Sequence, residues 1–146
     1  MSSTLEIPTL LRRATDANSA LLRGDIHAYM SLVSHSPEYT LMTPFGGPPT
    51  RGFDYSEDRL AEIGRFFQSG EGELELVQSY ASSDLVVLVL IEHQHAAVGG
   101  LPDQDWSLRV THVYRREGAE WRLVHRHADP LVKKITVERA AALARG

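Results

Sequence analysis

Residues 106–129, WSLRVTHVYRREGAEWRLVHRHAD, decide the fold of this chain. They read as two long strands joined by a turn at Glu117-Gly118-Ala119-Glu120, with apolar and polar residues alternating along each arm. The stretch also holds three of the seven histidines, and five arginines. Imidazole and guanidinium groups are costly to bury on a strand unless partners, water or a ligand satisfy them. The hairpin therefore marks both the sheet and the most promising functional surface.

Outward from the hairpin, the chain alternates order and punctuation. Ile7, Leu10, Leu11, Ala14, Asn18, Leu21 and Leu22 recur at three- and four-residue spacing, which predicts an amphipathic helix ended by Gly24. Asp25 caps a second helix with Ile26, Tyr29, Met30 and Val33 on its apolar face, stopped by His35-Ser36-Pro37. A strand is expected over residues 38–43, and PFGGPPTRG (44–52) must be a loop. A third helix starts at Asp54, buries Leu60, Ile63, Phe66 and Phe67, and ends at Gly70-Glu71-Gly72. Strands follow over 73–81 and 85–97, with turns at 82–84 and 99–103. A short helix capped by Thr136 closes the chain. Helices first and consecutive hairpins after predict an α+β fold: a cone-shaped, curved antiparallel sheet with the N-terminal helices packed on its concave face. The mouth of such a cone favours a pocket.

Composition narrows the class. The 146 residues make one domain (1–146, core about 7–131), with 42% hydrophobic and 23% charged residues. A net charge of −4 without a basic stripe argues against nucleic acid. Cysteine is absent, which removes disulfides, thiol nucleophiles and cysteine metal sites. The N-terminal MSSTLEIPTLLRRATD is no secretory signal, and the apolar run 85–91 is too short to cross a bilayer. The expectation is a cytoplasmic protein with no membrane association.

Three pieces carry a family resemblance. They are Gly24-Asp25-Ile26 at the helix junction, Thr43-Pro44-Phe45-Gly46-Gly47 leading to Arg51-Gly52, and Arg109-Val110-Thr111 with residues 121–127, WRLVHRH. In this order they resemble the nuclear transport factor 2-like superfamily, which includes ketosteroid isomerase, SnoaL-type cyclases, scytalone dehydratase and the calcium/calmodulin-dependent kinase association domain. The ending HRHADPLV resembles a SnoaL-like subgroup. The isomerase pattern places Thr43 at the general base, Ala17 at the oxyanion-hole tyrosine and His112 at the oxyanion-hole aspartate. A threonine hydroxyl is too weak a base to replace the carboxylate, so the resemblance implies that steroid isomerisation is absent. The kinase domain's pocket arginines correspond to Ile91, His112 and Ala128. Both comparisons bring His112 to the cavity side.

If His112 faces inward, strand alternation carries Leu108, Val110 and Tyr114 with it. On the preceding strand, Ile91, His93 and His95 are expected on that face, and on the last strand Val124, Arg126 and Ala128. Trp121, Leu123, His125 and His127 are then expected on the outer face, where an apolar patch predicts a sheet-to-sheet homodimer, as superfamily members commonly form. The expected pocket takes a small organic molecule, with Arg126 facing a carboxylate, His93, Tyr114, Thr43 and Ile91 lining it, and His112 as the acid–base group of an isomerase, cyclase or dehydratase type of reaction. The competing reading is a non-catalytic ligand-sensing or oligomerisation module, in which Arg126 pairs with Glu92 or Asp129.

Other constellations carry less. His93-x-His95 and His125-x-His127 have chelating spacing but lie on opposite faces, so no metal is expected. His127 with Asp129 lacks a nucleophile elbow. Gly46-Gly47 lacks the Lys-Ser/Thr ending of a phosphate loop, and its prolines remove donors. No cofactor is expected.

Overall fold

The computed structural model describes residues 6–146. Helices α1 (Ile7–Leu22) and α2 (Ile26–Leu32) precede strands β1 (His35–Met42) and β2 (Thr50–Arg51). Helix α3 (Glu57–Phe66) leads into β3 (Phe67–Ala81), β4 (Leu85–Val98), β5 (Gln104–Asp105), β6 (Leu108–Glu117) and β7 (Glu120–Pro130), and α4 (Val137–Arg145) ends the chain. The seven strands form one curved, unclosed sheet in the order β2-β1-β7-β6-β4-β3, with β5 on β4. The α+β architecture is the one expected. Every pairing is antiparallel except β1 with β7, which is parallel. β1 reaches the sheet from the helices and not through a hairpin, so its direction is free of the meander.

Helix α1 buries Leu10, Ala14, Ala17, Asn18, Ala20 and Leu22, close to the predicted stripe. Gly24 takes φ +78°, and a Cβ there would lie 2.3 Å from the Phe67 carbonyl oxygen, so the junction needs glycine twice over. Asp25 caps α2 by accepting from the Ala28 amide at 3.1 Å. The cap of α3 is Ser56, which accepts from the Arg59 amide, whereas Asp54 accepts from the Ser56 amide just before it.

Gly70-Glu71-Gly72 does not end α3. The helix stops at Phe66, and β3 runs straight through both glycines. The reason is close approach: a Cβ on Gly70 would sit 2.7 Å from the His95 carbonyl oxygen, and one on Gly72 2.6 Å from the Gln94 Cβ. Gln94 uses that space. It accepts from Asn18 of α1 at 2.8 Å and donates to the Trp106 carbonyl at 3.0 Å, tying helix to sheet.

The main core holds Leu10, Tyr39, Val86, Leu88, Leu90, Leu108, Val110, Tyr114, Trp121, Leu123 and Ala128 between α1 and the concave face. Each fully buried leucine there contributes about 1.5–3 kcal/mol of transfer free energy. Among the described residues no helix is long and apolar enough to cross a membrane.

Candidate functional site

Strand register decides which side chains share the concave face. On β4 and β6, Leu88 pairs with His112, Leu90 with Val110, and Glu92 with Leu108. Paired residues point to one side, so the inner residues of β4 are the even-numbered ones. Ile91, His93 and His95, expected inside, lie on the outer face. His93 Nε2 there meets Glu75 at 2.7 Å, and His95 Nδ1 meets Asp103 at 2.9 Å. The expectation failed because both parities of 85–91 are apolar, so hydrophobicity could not choose between them.

A register shift adds a second correction. Val113 pairs with His125, but Tyr114 pairs with Leu123, which leaves Val124 as the extra residue of a bulge in β7. Trp121 and Leu123 therefore join the core on the inner face, not the outer patch. Beyond the bulge Arg126, opposite His112, and Ala128, opposite Val110, also turn inward. His125 and His127 remain outside, held by Thr40 at 2.8 Å and Asp129 at 3.3 Å.

The concave face thus assembles one chain of polar groups. Arg126 Nη1 and Nη2 donate to the two Glu92 oxygens at 2.8 and 3.1 Å, a fork-to-carboxylate pair. Arg126 Nη1 also lies 2.9 Å from His112 Nε2, and His112 Nδ1 lies 3.1 Å from the Tyr114 hydroxyl. A guanidinium only donates, so Nε2 accepts, and the imidazole proton sits on Nδ1 and is given to Tyr114. Glu92 is 1% exposed, and the Arg126 side chain retains 20%. Burial, reinforced by the Arg126 charge, holds His112 well below the ordinary imidazole range. Burial alone would pull Arg126 down, but the Glu92 carboxylate outweighs it and keeps the guanidinium charged. Burial also raises the Tyr114 phenol.

A second buried imidazole stands nearby. His35, at the start of β1, has its ring nitrogens 3.1 Å from the Tyr29 hydroxyl and 3.0 Å from that of Tyr55. It stacks on Phe53 with centroids 4.0 Å apart and meets the Tyr39 ring edge-on at 4.7 Å. Burial pushes His35 down to about 4 and Tyr39 up to about 12. In the sequence His35 reads only as a helix stop, and Tyr39 carries no signal of its place. Glu92, named in the competing reading as a partner of Arg126, is that partner, and it continues the Val86-Leu88-Leu90 alternation by one step. No local signal distinguishes His35.

The remaining candidates are dispersed. Thr43 closes a turn, accepting from the Phe45 amide at 3.3 Å. A cavity of about 20 Å³ lies between Tyr114, Trp121, Leu10, Ala14 and Val33, with space for one water-sized group. A larger open groove of about 740 Å³ lies at the other end, lined by Arg23, Glu71, Glu73, His93, Asp105 and Ser107 among others. Neither His112 nor Arg126 lines either space. Among the described residues no group of three or more histidines and carboxylates is arranged to hold a metal ion.

Comparison with known proteins agrees with this architecture. Residues 11–132 match the SnoaL-like domain family model. No curated protein matches the chain. A structure from Streptomyces avermitilis, provisionally named a dehydratase of the NTF2-like family, superposes with a TM-score of 0.70 at 18% identity, over 90% of this chain and 100% of that one. An uncharacterised protein of cystatin-like fold from Caulobacter vibrioides gives 0.67 at 15% identity, over 99% of both. The association domain of C. elegans calcium/calmodulin-dependent kinase II gives 0.61 at 11% identity, over 87% of this chain and 97% of that one. The curved sheet, the helices on its concave face and the family match agree: this chain belongs to the SnoaL-like domain family.

Proposed function

We propose that this is a small-molecule-binding SnoaL-like domain whose concave-face network recognises an uncharged hydrogen-bond acceptor, without acid–base catalysis at His112. The observation that carries this reading is the Arg126–His112 contact at 2.9 Å. It occupies the lone pair that a general base needs, while Glu92 already fills the guanidinium fork that would receive a ligand carboxylate. The carboxylate facing Arg126 is the chain's own. The network runs from Arg126 through His112 and ends on Tyr114, whose O–H proton is left to donate. A ligand carbonyl or ether oxygen at the Trp121 side of Tyr114 suits that donor. Anything larger than a water-sized group requires α1 or α2 to move outward.

The expected outcome of a thermal-shift screen is stabilisation by uncharged ketones and lactones, lost in Tyr114→Phe. Stronger binding by the matching carboxylic acids overturns the reading. Turnover that disappears in His112→Ala but persists in Tyr114→Phe restores the isomerase, cyclase or dehydratase type of activity instead.

The same reading includes a homodimer. Val87, Val89, Ile91 and Val113 form an apolar strip on the outer face, beside Tyr80 at 59% exposure. A sheet face of that kind is covered most simply by its own copy. Sedimentation as a monomer at micromolar concentration overturns the dimer.

A further inference from the structure

The C-terminal segment is the part of the molecule that its own domain does not use. After β7 the Leu131 amide donates to the Ser107 carbonyl at 2.9 Å, and the chain then leaves the sheet. Helix α4 (Val137–Arg145) is properly capped, Thr136 accepting from the Arg139 amide at 3.1 Å. None of its residues is buried, and Val137 and Leu143 are 80% and 68% exposed. Val137, Ala140, Ala141 and Ala144 fall on one side at helical spacing, with Leu143 flanking them, while Glu138, Arg139 and Arg145 fall on the other. A nine-residue helix is marginal in water without a packing surface. It is not packed against its own domain.

The charges indicate where such a surface lies. The arm carries Lys133, Lys134, Arg139 and Arg145 against Glu138 alone. The outer margin of the sheet carries Glu71, Glu73 and Glu75 in a row on β3, with Asp103 and Asp105 beside them. Glu71, Glu73 and Asp105 line the open groove of about 740 Å³, facing Arg23, His93 and His95. Next to this margin, on the same face, run Val87, Val89 and Ile91, which offer apolar contact.

We infer that residues 131–145 form an exchange arm, which docks in the homodimer on the acidic outer margin of a second copy, its basic side chains on the Glu71-Glu73-Asp105 groove and its apolar stripe beside Ile91. This rests on the dimer reading above. Six extended residues span up to about 20 Å, and the helix adds about 14 Å, so the arm extends up to about 34 Å from its root beside Ser107. The arm adds positive charge to a groove whose three carboxylates outnumber its one arginine, and the partner supplies the packing surface α4 lacks.

The test compares dimer dissociation constants by analytical ultracentrifugation at two salt concentrations. Wild type is expected to dimerise, and removal of residues 133–146 to weaken the dimer at least tenfold. Lys133→Glu/Lys134→Glu/Arg139→Glu is expected to weaken it similarly, with loss of most of its salt dependence. Combining it with Glu71→Lys/Glu73→Lys is expected to recover part of the affinity. The absence of cysteine allows a direct check. Mixing Leu143→Cys with Glu73→Cys chains under oxidation is expected to give a disulfide-linked heterodimer. An unchanged dissociation constant after truncation overturns the arm and leaves the sheet-to-sheet dimer standing. A wild-type monomer overturns both. An intrachain disulfide in the doubly substituted chain, with no heterodimer on mixing, shows the arm folding back on its own groove and overturns the exchange.

Discussion

His112 and His93 sit on neighbouring strands, each beside a carboxylate system, yet they live in different physics. His112 faces the concave side, 6% exposed, at the centre of the chain from Glu92 through Arg126 to Tyr114. His93 faces outward, about half exposed, against Glu75. Water and salt screen the outer pair, and its net contribution is small. The inner groups have little water to fall back on, so each is held by its neighbour, and loss of one member strands the next. Proximity of histidine and carboxylate in a fold therefore says little until the face is known.

The sharpest way to break the comparison is to remove one inner partner. Glu92→Ala leaves the Arg126 charge buried without a counter-ion, and denaturant unfolding is expected to show a loss of about 3–5 kcal/mol. The paired replacement Glu92→Leu/Arg126→Met removes both charges and is expected to recover most of it. Recovery absent from the double variant would mean that the charges, and not their mutual dependence, hold the concave face.

Acid provides the next largest effect. The folded state holds His35 neutral down to about 4, below its ordinary value of 6.5. The unfolded chain thus binds a proton first as pH falls, so stability is highest above about pH 6.5 and declines towards pH 4. The depressed His35 alone accounts for about 3 kcal/mol over that window, and His112 acts in the same direction. Replacing His35 by Phe is expected to flatten the decline, as read by urea midpoints at pH 7, 5.5 and 4.5. An unchanged slope would place the acid sensitivity elsewhere.

The smallest effect is expected outside. Glu75→Gln removes the carboxylate charge facing His93, and the unfolding midpoint is expected to stay within experimental scatter at any salt concentration. A clear loss would show that the outer face is already an organised surface in the monomer.

The fold was legible because its signals are local or periodic. The α1 stripe, the Gly24-Asp25 junction, the 99–103 turn and the hairpin each carry their own reading. The site was legible only on β6, and in Arg126 and Ala128 of β7. Ile91 and His93 were misplaced because β4 is apolar on both parities. Trp121 and Leu123 were misplaced because the bulge at Val124 leaves no compositional trace. His35 and Tyr55, separated by a proline- and glycine-rich loop, meet where β2 folds back antiparallel on β1.

The sequence by itself determined the elements, the α+β class, the family pattern and the presence of His112 and Arg126 on one side of a hairpin. Hydrophobic periodicity and turn chemistry act within a few residues, so they can be read without a fold. The tertiary structure alone decided which carboxylate Arg126 holds, which tautomer His112 adopts and which histidines are buried. Those depend on inter-strand register, and a one-residue change in register exchanges the faces of every side chain beyond it.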